Sequence, residues 1–396
     1  MRNSILYFLL EGLSRGGIQF FLLFISYYYG ENIYVTLMLL VSLETLIPLF
    51  FPTNYIDALL PLLKKYSEQE ITSNFFVFNF IFFVVFGLVF IVFIQQLQEY
   101  YNYDNTYVYF LILINVFLVR WLYFSAFMKQ MEEKHINAIR IKGIPFILSL
   151  GLAILFVFLF EDKIFGFFVG KTLGLFIFYV YILLKTNITF SMNYKFLIDF
   201  SARSKYLVLI GLLGWATGYG FLNIAHTFYT ETDTKNFAYI LNLYMIFLMV
   251  IFGGMQVIRP KILKLVNTNA ASIQLKTFYI KTMLLYSGVA ILGFGIFMFI
   301  QILSLPSSVG NMLQNGNYAI LLFLLVAAES TARLFVYAKD DIKNFTQKIV
   351  SVELIGWLLV LILLYAQETK MFLIYFTLVT IRTLYVIYYT YKRTFS

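Results

Sequence analysis

The chain has 396 residues, of which 61% are hydrophobic and 12% are charged, and its mean hydropathy is +0.83. This composition excludes a soluble globular domain and is typical of a polytopic membrane protein. The formal net charge of +9 therefore does not indicate a nucleic-acid partner, because basic residues gather at the cytoplasmic ends of membrane spans.

Apolar stretches long enough to cross a bilayer recur along the whole chain. A span needs about 20 mainly apolar residues. With this criterion the sequence predicts twelve spans, at about residues 4–28, 33–61, 73–95, 105–128, 141–160, 164–185, 206–229, 236–259, 277–303, 317–338, 346–366 and 371–391. We interpret the first as a retained span, since it is too long and too charged for a signal peptide.

Lysines and arginines are distributed unevenly between the predicted connectors. With the N-terminus placed in the cytoplasm, the inner connectors, both termini and the cytoplasmic ends of the adjoining spans carry 21 of the 29, and the outer connectors carry 3. The remaining five lie deeper inside spans. The positive-inside rule then predicts that both termini are cytoplasmic and that the number of spans is even.

The longest inner connector divides the spans into two sets of six. We therefore predict an N-terminal lobe at 1–190, a cytoplasmic connector at 191–205 and a C-terminal lobe at 206–396. Transporters built from repeats commonly have such halves. The predicted fold class is an all-α polytopic membrane protein with about twelve transmembrane helices in two six-helix lobes.

Five cations fall inside the predicted spans, namely Arg15, Arg120, Lys171, Arg333 and Arg382. A charge at the bilayer centre costs about 2.5–3.5 kcal/mol on insertion scales, so such residues usually face a protein interior or a wet cavity. The four arginines fall in the inner half or the middle of their spans, and Lys171 lies nearer the outer face. These positions predict a site that binds an anionic phosphate or glycan group and is loaded from the cytoplasm.

Four acids share these spans and are candidate charge partners or ion-coupling groups: Glu11, Glu44, Glu329 and Glu353. Two of them stand four residues before an arginine, in the sequences EGLSR and ESTAR, which places acid and base on one helix face. For these two pairs, an ion pair that joins helices and a substrate contact remain alternative interpretations.

The other three cations, Arg120, Lys171 and Arg382, have no acid within one helical turn. If Glu44 and Glu353 each pair with one of them, one cation is left over. This surplus favours an anionic ligand. Arginine suits a phosphate because its guanidinium binds in a bidentate fork and keeps its charge.

Span seven contains four glycines in the sequence GLLGWATGYG. Glycines in a span permit close helix packing or a bend. Close packing and a gating hinge are both open interpretations here.

The sequence LLEGLSRGGIQFFLLFISYYYGENIYVTLML at the start, the RPKILKL that closes span eight and the two six-span lobes resemble a known family. It is the polysaccharide-transporter branch of the multidrug/oligosaccharidyl-lipid/polysaccharide (MOP) flippase superfamily, and within it the O-antigen-type (Wzx) flippases. Arg15 matches a family position.

The resemblance implies a V-shaped, two-lobed carrier with a central cavity that alternates access. Its substrate would be an undecaprenyl-diphosphate-linked oligosaccharide, moved from the cytoplasmic to the periplasmic leaflet of the bacterial inner membrane. The implied partners are this lipid-linked substrate, membrane lipids, a polymerase and other glycan-assembly proteins, with H⁺ or Na⁺ as the coupling ion.

Two alternatives come from other functional classes. A drug or cation antiporter of the same superfamily would share the fold. An integral-membrane glycan polymerase would be an enzyme, but the outer connectors are short for that role. With no cysteine and two histidines, the sequence predicts no zinc site, no cofactor and no catalytic residue.

Overall fold

A computed structural model of the chain describes residues 17–59, 62–132, 134–186, 188, 192–267, 272–302, 316–338, 342–365 and 371–395. These residues form thirteen α-helices joined by short turns, and no β-strand occurs among them. The predicted all-α fold is therefore confirmed. The contacts divide this part of the chain into two compact units, which are described separately.

The first unit comprises residues 29–215. Its helices are α2 (Glu31–Leu46), α3 (Glu68–Tyr101), α4 (Thr106–Met131), α5 (His135–Leu159), α6 (Lys163–Leu183) and α7 (Tyr194–Trp215).

The second unit comprises residues 17–28 and 216–395. It contains all but the last residue of α1 (Gly17–Tyr29), a π-helical turn (Ala216–Gly220), α8 (Phe221–Phe228), α9 (Glu231–Asn267), α10 (Ser272–Ile302), α11 (Gly316–Ala338), α12 (Ile342–Tyr365), α13 (Met371–Thr390) and a second π-helical turn (Tyr391–Phe395).

Helix α1 is joined to the second unit by buried hydrogen bonds. Gln19 Nε2 donates to the Tyr219 hydroxyl at 3.3 Å, and the Ser26 and Tyr239 hydroxyls lie 2.6 Å apart. The amide of Asn242 donates to the backbone oxygen of Gln19. The two units are grouped by contact, whereas the predicted lobes 1–190 and 206–396 were drawn along the sequence, so those boundaries stay a prediction.

Each of the twelve predicted spans coincides with helical structure in the part of the chain that is described. Among the described residues, eight segments are long and apolar enough to cross a membrane: Glu31–Phe50, Glu68–Tyr101, Thr106–Met131, Ile136–Leu159, Lys163–Leu183, Leu207–Phe228, Ser272–Gly295 and Tyr318–Val336. The other four predicted spans fall on α1, α9, α12 and α13.

The second predicted span ends earlier than the sequence pattern indicated. It was expected to continue to residue 61, but α2 stops at Leu46 and gives way to short 3₁₀ turns, beginning with Ile47–Phe50 and Pro52–Asn54. Pro48 is the second residue of the first turn, and Pro52 is the first residue of the second. Because proline lacks an N–H and clashes with the preceding turn, apolar composition alone could not extend the helix through this segment.

Side-chain caps set the ends of the helices that follow. The Ser67 hydroxyl accepts from the Glu70 N–H while the Glu70 carboxylate accepts from the Ser67 N–H, so a capping box starts α3. Asn102 ends that helix in the left-handed conformation at φ 49°. Asp162 accepts from the N–H groups of Ile164 and Phe165 and starts α6.

Glycines allow α5 and α6 to approach closely. A Cβ at Gly170 or Gly174 would overlap the backbone of α5, at Leu152 and Ser149 respectively. Both glycines lie one turn apart on one face of α6, the arrangement by which helices pack tightly in lipid. Lys171 lies next to this contact.

The degree of burial separates peripheral from central helices. In the most apolar part of α3 only 11% of the residues are buried, whereas 61% are buried in the most apolar part of Tyr318–Val336 in α11. A long, exposed and strongly apolar helix is compatible with lipid contact, because exposing so large an apolar surface to water is unfavourable.

Candidate functional site

Two of the predicted charged residues, Glu11 and Arg15, lie outside the residues that the structure describes. The other seven fall within it. They divide into three groups: a buried ion pair and a partly exposed arginine in the first unit, and in the second a cluster of three buried charges and the partly buried Arg333.

In the first unit, Lys171 of α6 forms an ion pair with Glu44 of α2. Lys171 Nζ lies 2.5 Å from Glu44 Oε2, and both residues are buried. The Phe167 ring centroid is 5.8 Å from the ammonium group. Such a pair repays the desolvation of its two charges only while both are present, so Lys171 and Glu44 are coupled across two helices.

The second unit contains a cluster of buried charges centred on Glu329 of α11. Its Oε2 accepts from Arg382 Nε of α13 at 2.8 Å, and its Oε1 contacts Arg333 Nη2 one turn later on α11. Glu329 is 3% exposed and Arg382 is 8% exposed. One carboxylate therefore serves two guanidinium groups.

Glu353 of α12 completes this charge cluster. Its Oε1 lies 3.7 Å from Arg333 Nη2 and 3.8 Å from Arg382 Nε. Its Oε2 is buried and accepts no hydrogen bond from the residues that the structure describes. Two carboxylates and two guanidinium groups thus balance in formal charge and join α11, α12 and α13.

Two threonines extend the charge cluster, and neither was predicted from the sequence. Arg382 Nη1 donates to Thr217 Oγ1, in the π-helical turn at Ala216–Gly220. Thr383 Oγ1 donates to Glu329 Oε2 at 3.4 Å. In the sequence, the glycines of GLLGWATGYG distinguished this segment. Nothing in that pattern indicated that Thr217 would accept a hydrogen bond from a buried arginine.

Arg120 of α4 belongs to a different environment in the first unit. Its Nη1 donates to Asn54 Oδ1, in the 3₁₀ turn that follows α2. The guanidinium carbon lies 5.7 Å from the ring centroid of Tyr123. Arg120 is partly exposed, whereas Lys171 and Arg382 are buried.

The structure brings together some of the predicted partners and separates others. Glu329 and Arg333 contact each other as their spacing predicted, but Glu329 also binds Arg382, a partner that the sequence did not indicate. Glu353 lies beside both Arg333 and Arg382. Glu44 forms an ion pair with Lys171. The sequence predicted that Arg382 would bind an anionic ligand. In the structure two carboxylates already lie beside it, so such a ligand would have to bind next to Glu329 and Glu353.

Groups of three or more histidine, aspartate or glutamate side chains suited to a metal ion are absent from the described part of the chain. The charge cluster brings only two carboxylates together, and two guanidinium groups face them. The four groups therefore neutralise one another's charges.

Solved structures of membrane transporters share this fold. One is an inward-facing multidrug resistance MATE family transporter of the MOP superfamily, with a TM-score of 0.70 and 12% identity over 99% of this chain and 94% of that one. Another is an outward-facing multidrug resistance MATE family transporter of the MOP superfamily, with a TM-score of 0.67, 12% identity and the same coverages.

A third similar structure is that of a mutant of the MATE transporter VcmN of Vibrio cholerae, with a TM-score of 0.65 and 14% identity over 99% of this chain and 95% of that one. No protein-family model matches the sequence, and no curated protein does. The chain thus has the all-α fold of the MATE transporters of the MOP superfamily.

Proposed function

We propose that this chain is an alternating-access transporter that flips a lipid-linked oligosaccharide from the cytoplasmic to the periplasmic leaflet of the bacterial inner membrane. The diphosphate between lipid and sugar is the anionic group that the protein must shield during transfer. The partners of this activity are the lipid-linked substrate and the membrane lipids, and a polymerase and other glycan-assembly proteins would act on the product.

Alternating access is supported by the fold. Proteins of this fold are known in an inward-facing and an outward-facing conformation, and the likeness covers 99% of this chain in both cases. A carrier with two such states can expose one site to each leaflet in turn.

The observation that carries the substrate class is the environment of Arg120. This arginine is partly exposed within a predicted span, and an amide and an aromatic ring lie beside it, at Asn54 and Tyr123. A guanidinium binds a phosphate group in a bidentate fork. Amide and aromatic groups suit a sugar, by hydrogen bonding and by stacking.

Replacing Arg120 tests this assignment. The purified chain would be reconstituted in vesicles with a lipid-linked diphosphate oligosaccharide, and flipping would be followed as glycan exposed to an impermeant glycosidase. For Arg120→Ala we expect flipping to slow by about tenfold to a hundredfold, since charged hydrogen bonds contribute about 1.5–3 kcal/mol. Arg120→Lys should retain an intermediate rate, and the exposed Arg203→Ala should behave as wild type. Equal rates for all three variants would contradict the assignment.

Drug or cation antiport is the second candidate, because two of the similar structures are multidrug resistance transporters by name. The two candidates differ in outcome. A flippase should restore surface polysaccharide to cells that lack their own flippase, without changing their drug sensitivity. Drug resistance with no glycan phenotype would establish the antiporter instead.

Glu353 is the acid that best fits a coupling role for H⁺ or Na⁺. It is buried beside two arginines, and one of its oxygens accepts no hydrogen bond from the described residues. We expect Glu353→Gln to remove the acceleration of flipping by an imposed proton or sodium gradient while leaving the protein folded. Glu231→Gln, on an exposed glutamate paired with Lys235, is the control. An unchanged response of Glu353→Gln to both gradients would exclude the role.

A further inference from the structure

A second feature of the first unit is a cavity of about 910 Å³ at one end of α3, α4, α5 and α6. The end concerned is where α3 and α5 begin and where α4 and α6 finish. The cavity is lined by residues of this unit alone. None of its lining residues belongs to the charged groups described above.

Basic side chains lie on the rim of this cavity, which we call the groove. Lys129, Arg140 and Lys185 line it, with Glu68 as the one acid among the lining residues. Arg140 is exposed, and within the described residues its guanidinium has no hydrogen-bond or ion-pair partner. Lys185 Nζ donates to the Tyr181 hydroxyl at 2.6 Å, which holds its ammonium group at the groove.

The remaining lining is apolar and extends away from the basic end. Phe124, Met128 and Ile182 form a buried floor. On α6, Ile177 and Tyr181 stand two turns and one turn before Lys185, and each is 52% exposed. At 1.5 Å per residue this stripe runs roughly 12 Å from the cation into the apolar region.

Helix α5 repeats the same order of side chains. Ile144, which is 41% exposed, stands one turn after Arg140. Because α5 and α6 pack closely through Gly170 and Gly174, their two stripes form neighbouring walls. On each wall a cation lies at the end of the helix, and exposed apolar side chains follow at depth.

We propose that this groove binds the headgroup of an anionic membrane phospholipid, with an acyl chain lying along Ile144 and Ile177. Basic pockets between membrane helices on the cytoplasmic side are suited to anionic headgroups. A soluble inorganic phosphate has no apolar part that could contact the exposed apolar walls. The topology predicted from the sequence places this end in the cytoplasmic leaflet, and the inference stands whether or not the chain flips a glycan.

Binding would be measured on the full chain in phosphatidylcholine nanodiscs that contain increasing fractions of phosphatidylglycerol, with the retained lipid counted by native mass spectrometry. The test variant is Arg140→Gln with Lys185→Gln. The matched control is Lys195→Gln with Arg203→Gln, which removes two exposed cations of the same unit outside the groove.

We expect the wild type to retain phosphatidylglycerol in preference to phosphatidylcholine. The groove variant should bind phosphatidylglycerol about tenfold to thirtyfold more weakly, from the usual contribution of a basic residue near an anionic lipid surface. The control should bind as the wild type does. An equal loss in groove variant and control would overturn the proposal, because it would reveal only general electrostatic attraction.

A second measurement uses the wild type and does not depend on any variant folding. A phosphatidylglycerol with a photoreactive acyl chain should crosslink to peptides that contain Ile144 and Ile177. Millimolar inorganic phosphate should not prevent this crosslinking. Crosslinks confined to other helices, competition by phosphate alone, or preferential competition by a lipid-linked diphosphate oligosaccharide would each overturn the assignment to a membrane phospholipid.

Discussion

At the level of single residues, intramembrane cations of this protein are held by specific polar partners. Lys171 pairs with Glu44, Arg382 binds Glu329 and Thr217, and Arg120 donates to Asn54. Each contact joins helices or turns that are far apart in the sequence. These charged side chains therefore connect helices. If they also bind a substrate or an ion during transport, they must do so while keeping or exchanging these contacts.

The Lys171–Glu44 pair gives a direct test of this view. Lys171→Met leaves a buried carboxylate without its partner and should lower the free energy of unfolding by about 3–5 kcal/mol. The double variant Lys171→Met with Glu44→Leu should recover most of that loss, because both charges are gone. Denaturant unfolding in detergent would measure the difference, and an equally unstable double variant would contradict the prediction.

At the level of helices, local sequence decides where some elements end. Pro48 and Pro52 replace helix by 3₁₀ turns after α2, and the caps at Ser67 and Asp162 start α3 and α6. Helices could be predicted at the twelve expected positions because apolar runs there have about the length of a bilayer. The break after α2 was missed because its residues are as apolar as those of a helix.

Packing between α5 and α6 depends on glycine at specific positions. Gly174→Ala places a methyl group against the backbone of Ser149 and should destabilise the protein by about 1–3 kcal/mol, the usual cost of overpacking. Gly151→Ala on α5 meets nothing within 4 Å and should be neutral or slightly stabilising, since alanine favours a helix. Thermal unfolding of both variants in detergent is the measurement, and similar values would argue against close packing.

At the level of the whole molecule, sidedness follows from the distribution of basic residues. The 21-to-3 distribution between predicted inner and outer connectors predicts cytoplasmic termini and places the groove of Arg140 and Lys185 in the inner leaflet. The proposed loading of an anionic substrate from the cytoplasm depends on the same orientation.

The chain contains no cysteine, so introduced thiols can report this orientation directly. Asp104 and Lys195 are both exposed and lie in connectors predicted to be on opposite sides. On intact cells an impermeant maleimide should label Asp104→Cys and leave Lys195→Cys unlabelled, while permeabilised cells should label both. The reverse pattern would invert the topology.

The sequence by itself determined the all-α membrane class, the approximate spans and the charged residues within them, because hydrophobic length and charge are properties of single segments. It also predicted the contact of Glu329 with Arg333, since four residues are one helical turn. Only the tertiary structure decided that Glu329 also binds Arg382, that Lys171 pairs with Glu44 and that Arg382 donates a hydrogen bond to Thr217. These partners lie on different helices, and no local spacing along a chain fixes which helices pack together.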